Sequence, residues 1–193
     1  MRLVFQGSLN EVPLILDTER LRLRPITSKD TGDLLLYHSD PAVVRYIPWT
    51  VRSSAEVETA IANYATLSMA LNHEGDSIVL GWELKSSGKV IGQSNASLVS
   101  LVNQTADVGW VTSRGFWRQG YAYEASAAFI DFVFSQAVVR RIVANIDTRN
   151  PESARLAEKL KMRLEGEFRQ SIFTKGEWCD MWQYAALREE INQ

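Results

Sequence analysis

Cysteine is close to absent. Cys179 is the one thiol among 193 residues, so no internal disulfide can form and a reducing, cytoplasmic setting fits. Its neighbours Trp178 and Asp180 bring no cation that would lower a thiol pKa, so it reads as structural. Histidine is as scarce, with only His38 and His73, and no Cys/His cluster has metal-ligand spacing. No metal site is expected. No apolar run approaches the roughly 18 residues that span a bilayer, and no signal-peptide pattern is found. Net charge is −2, without the basic excess that bulk nucleic-acid binding requires. Repeats, low-complexity tracts and linkers are missing too, which predicts a single domain. What remains is ordinary globular material, 46% hydrophobic and 23% charged, enough for a sizeable core.

The informative stretch is 108–134. VGWV reads as a strand, TSRGFWRQGYAYEA as a loop with Gly115 and Gly120, and the apolar run after it as a long helix. Strand, glycine loop and helix together present free backbone N–H groups to a phosphate, with the helix dipole favouring an anion. Gly120 removes a side chain where a ligand approaches the backbone, and Ala122 keeps the next turn small. Arg114 and Arg118 add positive charge. The loop is neither a Walker P-loop, since no Gly-Lys-Ser/Thr follows, nor a G-x-G-x-x-G fingerprint. Alone it also fits a plain tight turn.

Residues 1–17 read as a peripheral segment, and Leu3–Gly7 (LVFQG) is similar to a protease-cleavage sequence and is set aside. Leu21, Leu23 and Pro25 alternate with Arg20, Arg22 and Arg24, a strand with one basic face. Ser28 to Asp30 opens a helix carrying Leu34–Tyr37, and Asp40-Pro41 opens a short one. Ser53-Ser54-x-Glu56 resembles a capping box, and the helix after it is expected to run through Leu67–Leu71. Strands are expected at 77–85, 90–99 and 107–111, the first two joined by a turn at Gly88. A helix over 119–137, a strand over 140–146 and a helix from Asn150-Pro151 to about Lys161 follow. A hairpin around Lys175-Gly176 joins strands at 166–173 and 177–187, and 189–193 is a tail. Strand, helices, three strands, helix, strand, helix, two strands is a mixed α/β sheet covered by helices.

Three segments in this order carry a resemblance: VGWVTSRGFWRQGYAYEA (108–125), RIVANIDTRNPESARLAEKLKM (141–162) and LEGEFRQSIFTKGEWCDMWQYA (164–185). Together they resemble the GNAT acetyltransferase superfamily, in the branch that contains the ribosomal-protein N-terminal acetyltransferases. TERLRLRPIT (18–27) resembles that branch's first strand, so the resemblance spans roughly 18–188. It implies a single α/β (α+β) domain: a mixed, mostly antiparallel sheet with one splayed strand pair and helices on both faces. It implies acetyl-CoA as donor and a primary amine as acceptor, attacking directly without an acyl-enzyme. The acceptor stays open between a protein N-terminus and a small amine such as an antibiotic, polyamine or amino acid. A non-catalytic acetyl-CoA-binding module is the alternative of another class, and a homodimer is left open. Direct attack asks for proximity, an oxyanion donor and proton management, and no Ser-His-Asp unit is visible.

The resemblance assigns roles. The pyrophosphate would lie on the backbone of Arg118, Gln119, Gly120, Tyr121 and Ala122, and the pantetheine arm between strands 107–111 and 141–146. The acetyl carbonyl would meet a backbone N–H near Val111. Asn150 would hold the pantetheine or act as a plain N-cap. Ser153 would lie near the sulfur as acid for the leaving thiolate, or be an ordinary first-turn serine. The superfamily's common tyrosine in this helix is absent, with Ala157 and Glu158 in its place. Trp117 stands where Arg or Gln often opens the pyrophosphate motif, Lys161 where glycine usually ends the helix, and Ile172 where a glutamate base can stand. Base candidates are Glu83, Asp107, Glu165, Glu167 and His38. Tyr37, Tyr46, Trp49, Phe173 and Trp178 would line the acceptor groove. Trp82, Trp110 and Trp182 are expected in the core.

Overall fold

The computed structural model describes residues 14–191. The cleavage-like segment Leu3–Gly7 lies outside them. Strands β1 (Leu16–Asp17) and β2 (Leu21–Arg24) lead into a 3-10 turn and helices α1 (Thr31–His38), α2 (Pro41–Val44) and α3 (Ser54–Tyr64). Strands β3 (Ser77–Leu84), β4 (Val90–Ser100) and β5 (Thr105–Thr112) precede α4 (Tyr121–Ser135), β6 (Arg141–Asp147) and α5 (Pro151–Lys159). The hairpin β7 (Arg163–Thr174) and β8 (Glu177–Leu187) ends in the short α6 (Arg188–Ile191). The sheet has 8 strands in the order β1-β2-β3-β4-β5-β6-β8-β7. All neighbours are antiparallel except β5 and β6.

Alternation along the strands builds a core on each face. Ile78, Leu80 and Trp82 of β3 join α4 and α5, while Val79 joins Leu34, Tyr37, Val57 and Ile61 on the α1–α3 side. α4 is apolar around most of its circumference and fills the first core with Phe129, Ile130, Phe132 and Val133. Ser53 and Glu56 form the expected capping box at α3. α3 stops at Tyr64, short of the expected Leu71, because Leu71 is buried in the opposite core, which one straight helix could not also reach. The sheet begins before residue 18: Leu16 is buried and pairs with Leu23. Lys161 keeps the left-handed helix end at φ 62°, costing about 1 kcal/mol against glycine.

Candidate active site

β5 and β6 pair only at Thr105 with Arg141, Ala106 with Ile142 and Asp107 with Val143. Beyond Asp107 they part, while β5 stays paired to β4 as far as Thr112 and β6 to β8 as far as Asp147. The result is a wedge through the sheet. Its edges carry backbone groups that a continuous sheet would have paired. Register decides which ones. Ser113 N–H donates to the Ile91 carbonyl, so alternation sends the Val111 and Gly109 N–H groups to β4. Those of Val108, Trp110 and Thr112 face the wedge. From β6, Thr148 N–H donates to Asp180, which leaves Asn145 and Asp147 facing it.

This corrects the expectation for Val111. Its N–H belongs to the β4 ladder, and its side chain is buried in the α1–α3 core. The neighbouring Trp110 N–H is the one that faces the wedge beside it. Trp110 packs against the main core as expected, half-buried, and also borders both cavities of the wedge.

On the α4–α5 side lies a cavity of about 750 Å³. Arg118, Gly120 and Ala122 line it from one side and Asn150, Ser153 and Lys159 from the other. The N–H groups of residues 118–123 have no hydrogen-bond partner among the described residues. Two left-handed residues aim them: Arg118 at φ 59° and Gly120 at φ 84°. Gly120 is needed there for its conformation as well as its lack of bulk. Gln119 and Tyr121 stand behind the loop. The Gln119 carbonyl accepts from Arg20, whose guanidinium lies 4.2 Å over the Tyr121 ring. Arg20 Nε also donates to Glu124 at 2.6 Å, and Thr18 Oγ1 to the same carboxylate. This clamp from the β1–β2 turn fixes the loop. Its signal in the sequence was Glu124, an acid in the first turn of a nearly apolar helix. Trp117 closes the loop by donating from its indole N–H to the Thr112 carbonyl.

Asn150 and Ser153 act as one unit. Asn150 Oδ1 accepts from the Ser153 N–H at 3.2 Å, and its Nδ2 donates to Ser153 Oγ at 3.1 Å. Asn150 is therefore the cap of α5. Because Oγ already accepts from Asn150, its own proton is free to point into the cavity.

On the α1–α3 side lies a cavity of about 460 Å³. Tyr46, Trp49 and Tyr64 wall it, and Gln93, Asn95 and Asp107 lie in its floor. Asp107 is the one base candidate that borders it. Its carboxyl accepts from Asn145 Nδ2 at 2.8 Å, and loss of solvent pushes its pKa up to about 6. The other candidates are engaged elsewhere. Glu83 pairs with Arg24, Glu165 with Arg141, and Glu167 accepts from the Trp182 indole. His38 is fully buried between Arg52 and the Gln93 side-chain Oε1, and burial lowers its pKa to about 4.

The aromatic expectations divide. Tyr46 and Trp49 line the cavity. Tyr37 does not: it is fully buried and its hydroxyl donates to Gln93 Oε1 at 2.9 Å. Phe173 and Trp178 pack edge to face near the β7–β8 turn and border neither cavity. Gln93, Asn95 and Ser97 also line this cavity, outside the residues expected there. Their signal was polar alternation along an otherwise buried central strand.

A model of the acetyltransferase (GNAT) domain matches residues 20–163. The chain belongs to the GNAT acetyltransferase family. It is 30% identical over 176 residues to the uncharacterized N-acetyltransferase p20 of Bacillus licheniformis, covering 90% of this chain and 96% of that one. The uncharacterized N-acetyltransferase YnaD of Bacillus subtilis is also 30% identical, over 91% of this chain and 98% of its own. Among solved structures, a GNAT-family acetyltransferase from Bacillus anthracis superposes with a TM-score of 0.79 at 28% identity, covering 92% of this chain and all of that one. The protein is thus an acetyl-CoA-dependent N-acetyltransferase of the GNAT family. Among the described residues, no helix is long and apolar enough to cross a membrane.

The residues present fit acetyl-CoA. Unpaired N–H groups at 118–123 suit a pyrophosphate, and the edges of the wedge suit the amides of a pantetheine arm. When bound, it supplies an activated acetyl thioester.

Proposed function

We propose that this GNAT protein moves the acetyl group to a primary amine by direct attack through the wedge. The observation that carries this reading is the wedge itself, which joins a phosphate-suited cavity on one face of the sheet to a cavity floored by Gln93, Asn95 and Asp107 on the other. The amine enters from the Asp107 side. Its nitrogen bonds to the acetyl carbon, the carbon–sulfur bond breaks, and the amine's proton passes to the Asp107 carboxylate. Trp110 N–H takes the charge that develops on the acetyl oxygen. Ser153 Oγ–H donates to the departing thiolate.

Asp107 has a proton affinity suited to the task. With a pKa of about 6 it is mostly ionised at neutral pH yet keeps appreciable basicity. An amine of pKa near 8 is already about a tenth neutral at pH 7, whereas one near 10.4 costs about 4.6 kcal/mol to deprotonate. The arrangement therefore favours an amine of low pKa.

The experiment is thiol release from acetyl-CoA with a panel of peptides and small amines, beside a thermal shift with acetyl-CoA alone. At about 100 times Kd, the ligand should add roughly 2.7 kcal/mol of stability. Stabilisation without turnover on any amine would make the protein a binding module and sink the transfer reading.

A further inference from the structure

The acceptor cavity carries acidic side chains and otherwise neutral ones. Among the described residues, no Lys, Arg or His lines it. Its acids are Asp107 and Asp147, and Asp147 is already held by Arg149 Nη2 at 2.7 Å. One carboxylate is thus left to receive one ammonium. A substrate carboxylate would meet no cation and would face Asp107, a like charge. A second ammonium would find no further anion.

The rest of the lining is neutral and hydrogen-bonding. The Asn95 side chain makes no hydrogen bond among the described residues, and its Oδ1 lies 2.7 Å from where a Cβ on Gly109 would stand. Gly109 therefore keeps room for that amide at the cavity. The Trp49 indole N–H is buried without a partner among the described residues. Tyr64 Oη accepts only a long bond from Gln93 Nε2, at 3.4 Å, which leaves its proton for a ligand. Of these groups the indole N–H is fully buried, and such a donor is costly unless something pairs with it.

The cavity also has a pinned roof. Lys175 Nζ donates to the carbonyls of Val44 and Arg45, tying the β7–β8 turn to the segment that continues into Tyr46 and Trp49. A chain crossing the site would have to displace that tie, whereas a small molecule would not.

We propose that the acceptor is a small monoamine whose body is uncharged and rich in hydroxyl or amide groups, of the amino-alcohol or amino-sugar kind. It is recognised by the neutral side chains of Trp49, Tyr64 and Asn95 around the lone carboxylate of Asp107. This rests on the acetyl-transfer reading above and narrows its substrate. Hydroxyls on the acceptor pair with the unfilled donors and acceptors, and the aromatic walls cover its carbon skeleton.

The test compares kcat/KM for acetyl transfer to serinamide, serine, glucosamine, spermidine and a serine-initiated peptide. Serinamide should exceed serine by at least about tenfold, because only serine brings an unpaired carboxylate. Glucosamine should exceed spermidine and the peptide. Asn95→Lys supplies the missing cation and should shrink the serinamide-to-serine ratio by about tenfold. The wild-type comparison decides the matter even if that variant does not fold. Thiol release that is as fast with serine, spermidine or the peptide overturns this proposal and leaves the transfer reading standing. Bound acetyl-CoA with no thiol release from any amine overturns both.

Discussion

Replacing Ser153 by alanine separates catalysis from packing. The substitution deletes the hydroxyl and with it the 3.1 Å bond from Asn150 Nδ2. It leaves the helix cap intact, because Asn150 Oδ1 bonds the Ser153 N–H and not the side chain. Loss of one such bond costs about 0.5–1.5 kcal/mol. For a domain of this size, each kcal/mol lowers Tm by roughly 2–4 °C. The catalytic effect should be larger. A thiol of pKa near 8.5 is a fair leaving group, so the hydroxyl need only share the charge as the carbon–sulfur bond breaks. A loss of roughly tenfold to a thousandfold in the transfer step follows, equivalent to about 1.4–4 kcal/mol.

Single-turnover acetyl transfer measures that step free of product release. Kd for acetyl-CoA and Tm are taken on the same preparation. The expected pattern is a slower transfer, a nearly unchanged Kd and a small drop in Tm. Asn150→Ala is the contrasting variant. It removes the cap, costing about 1 kcal/mol, and also frees the Ser153 hydroxyl from its orienting donor. A Ser153→Ala enzyme that transfers acetyl at the wild-type rate would refute the assignment, whatever its Tm.

The remaining predictions use other parts of the site. Asp107 should impose a limb on kcat/KM that rises through about pH 6 as its carboxylate ionises, and Asp107→Asn should abolish the limb and lower the plateau by roughly 10²-fold. The same variant should be no less stable at pH 8, since a carboxyl whose folded pKa is raised costs stability above that pKa; a marked destabilisation would give Asp107 a structural role instead. Gly120→Asp should abolish acetyl-CoA binding by calorimetry in a folded protein, losing about 1–2 kcal/mol to the left-handed backbone; an unchanged Kd would place the pyrophosphate elsewhere. His38 has a folded pKa of about 4 against 6.5 unfolded, so the unfolded chain binds more protons between these values. Stability should therefore fall by about 3 kcal/mol in total as pH drops through that window, and a denaturation series in which His38→Gln shows the same fall would exclude this cause.

Much of the fold was legible because it obeys local rules. The capping box at Ser53, proline after Asn150, and the turns at Gly88 and Gly176 all sit where short-range chemistry puts them. The misses are places where tertiary packing overrides local pattern. The apolar run at 67–71 looks helical in continuation of α3, yet Leu71 is claimed by the other face of the sheet. β1 is a two-residue edge strand, too short to show a period, and it exists because Leu23 offers Leu16 a partner. α6 is a single turn after β8, below the length at which periodicity says anything.

The two halves of the site differ in legibility for a physical reason. The phosphate-suited half is built from backbone, so its signals are conformational ones that sequence carries directly: a glycine at a positive φ and an asparagine before a proline. The acceptor half is built from side chains on alternate positions of paired strands, so it depends on parity. Shifting a strand by one residue exchanges its faces and its free N–H groups together. Here register sends the Val111 N–H to β4 and the Trp110 N–H to the wedge. The Ser113–Ile91 bond at 2.8 Å sets this parity, and no count along the chain reveals it. It also puts Asp107 and Gly109 on the face that β4 lines with Gln93, Asn95 and Ser97. Aromatic residues gave no such guidance, because burial and ligand contact select them alike. Tyr37 serves the core, Trp49 the cavity, and only the fold tells the one from the other.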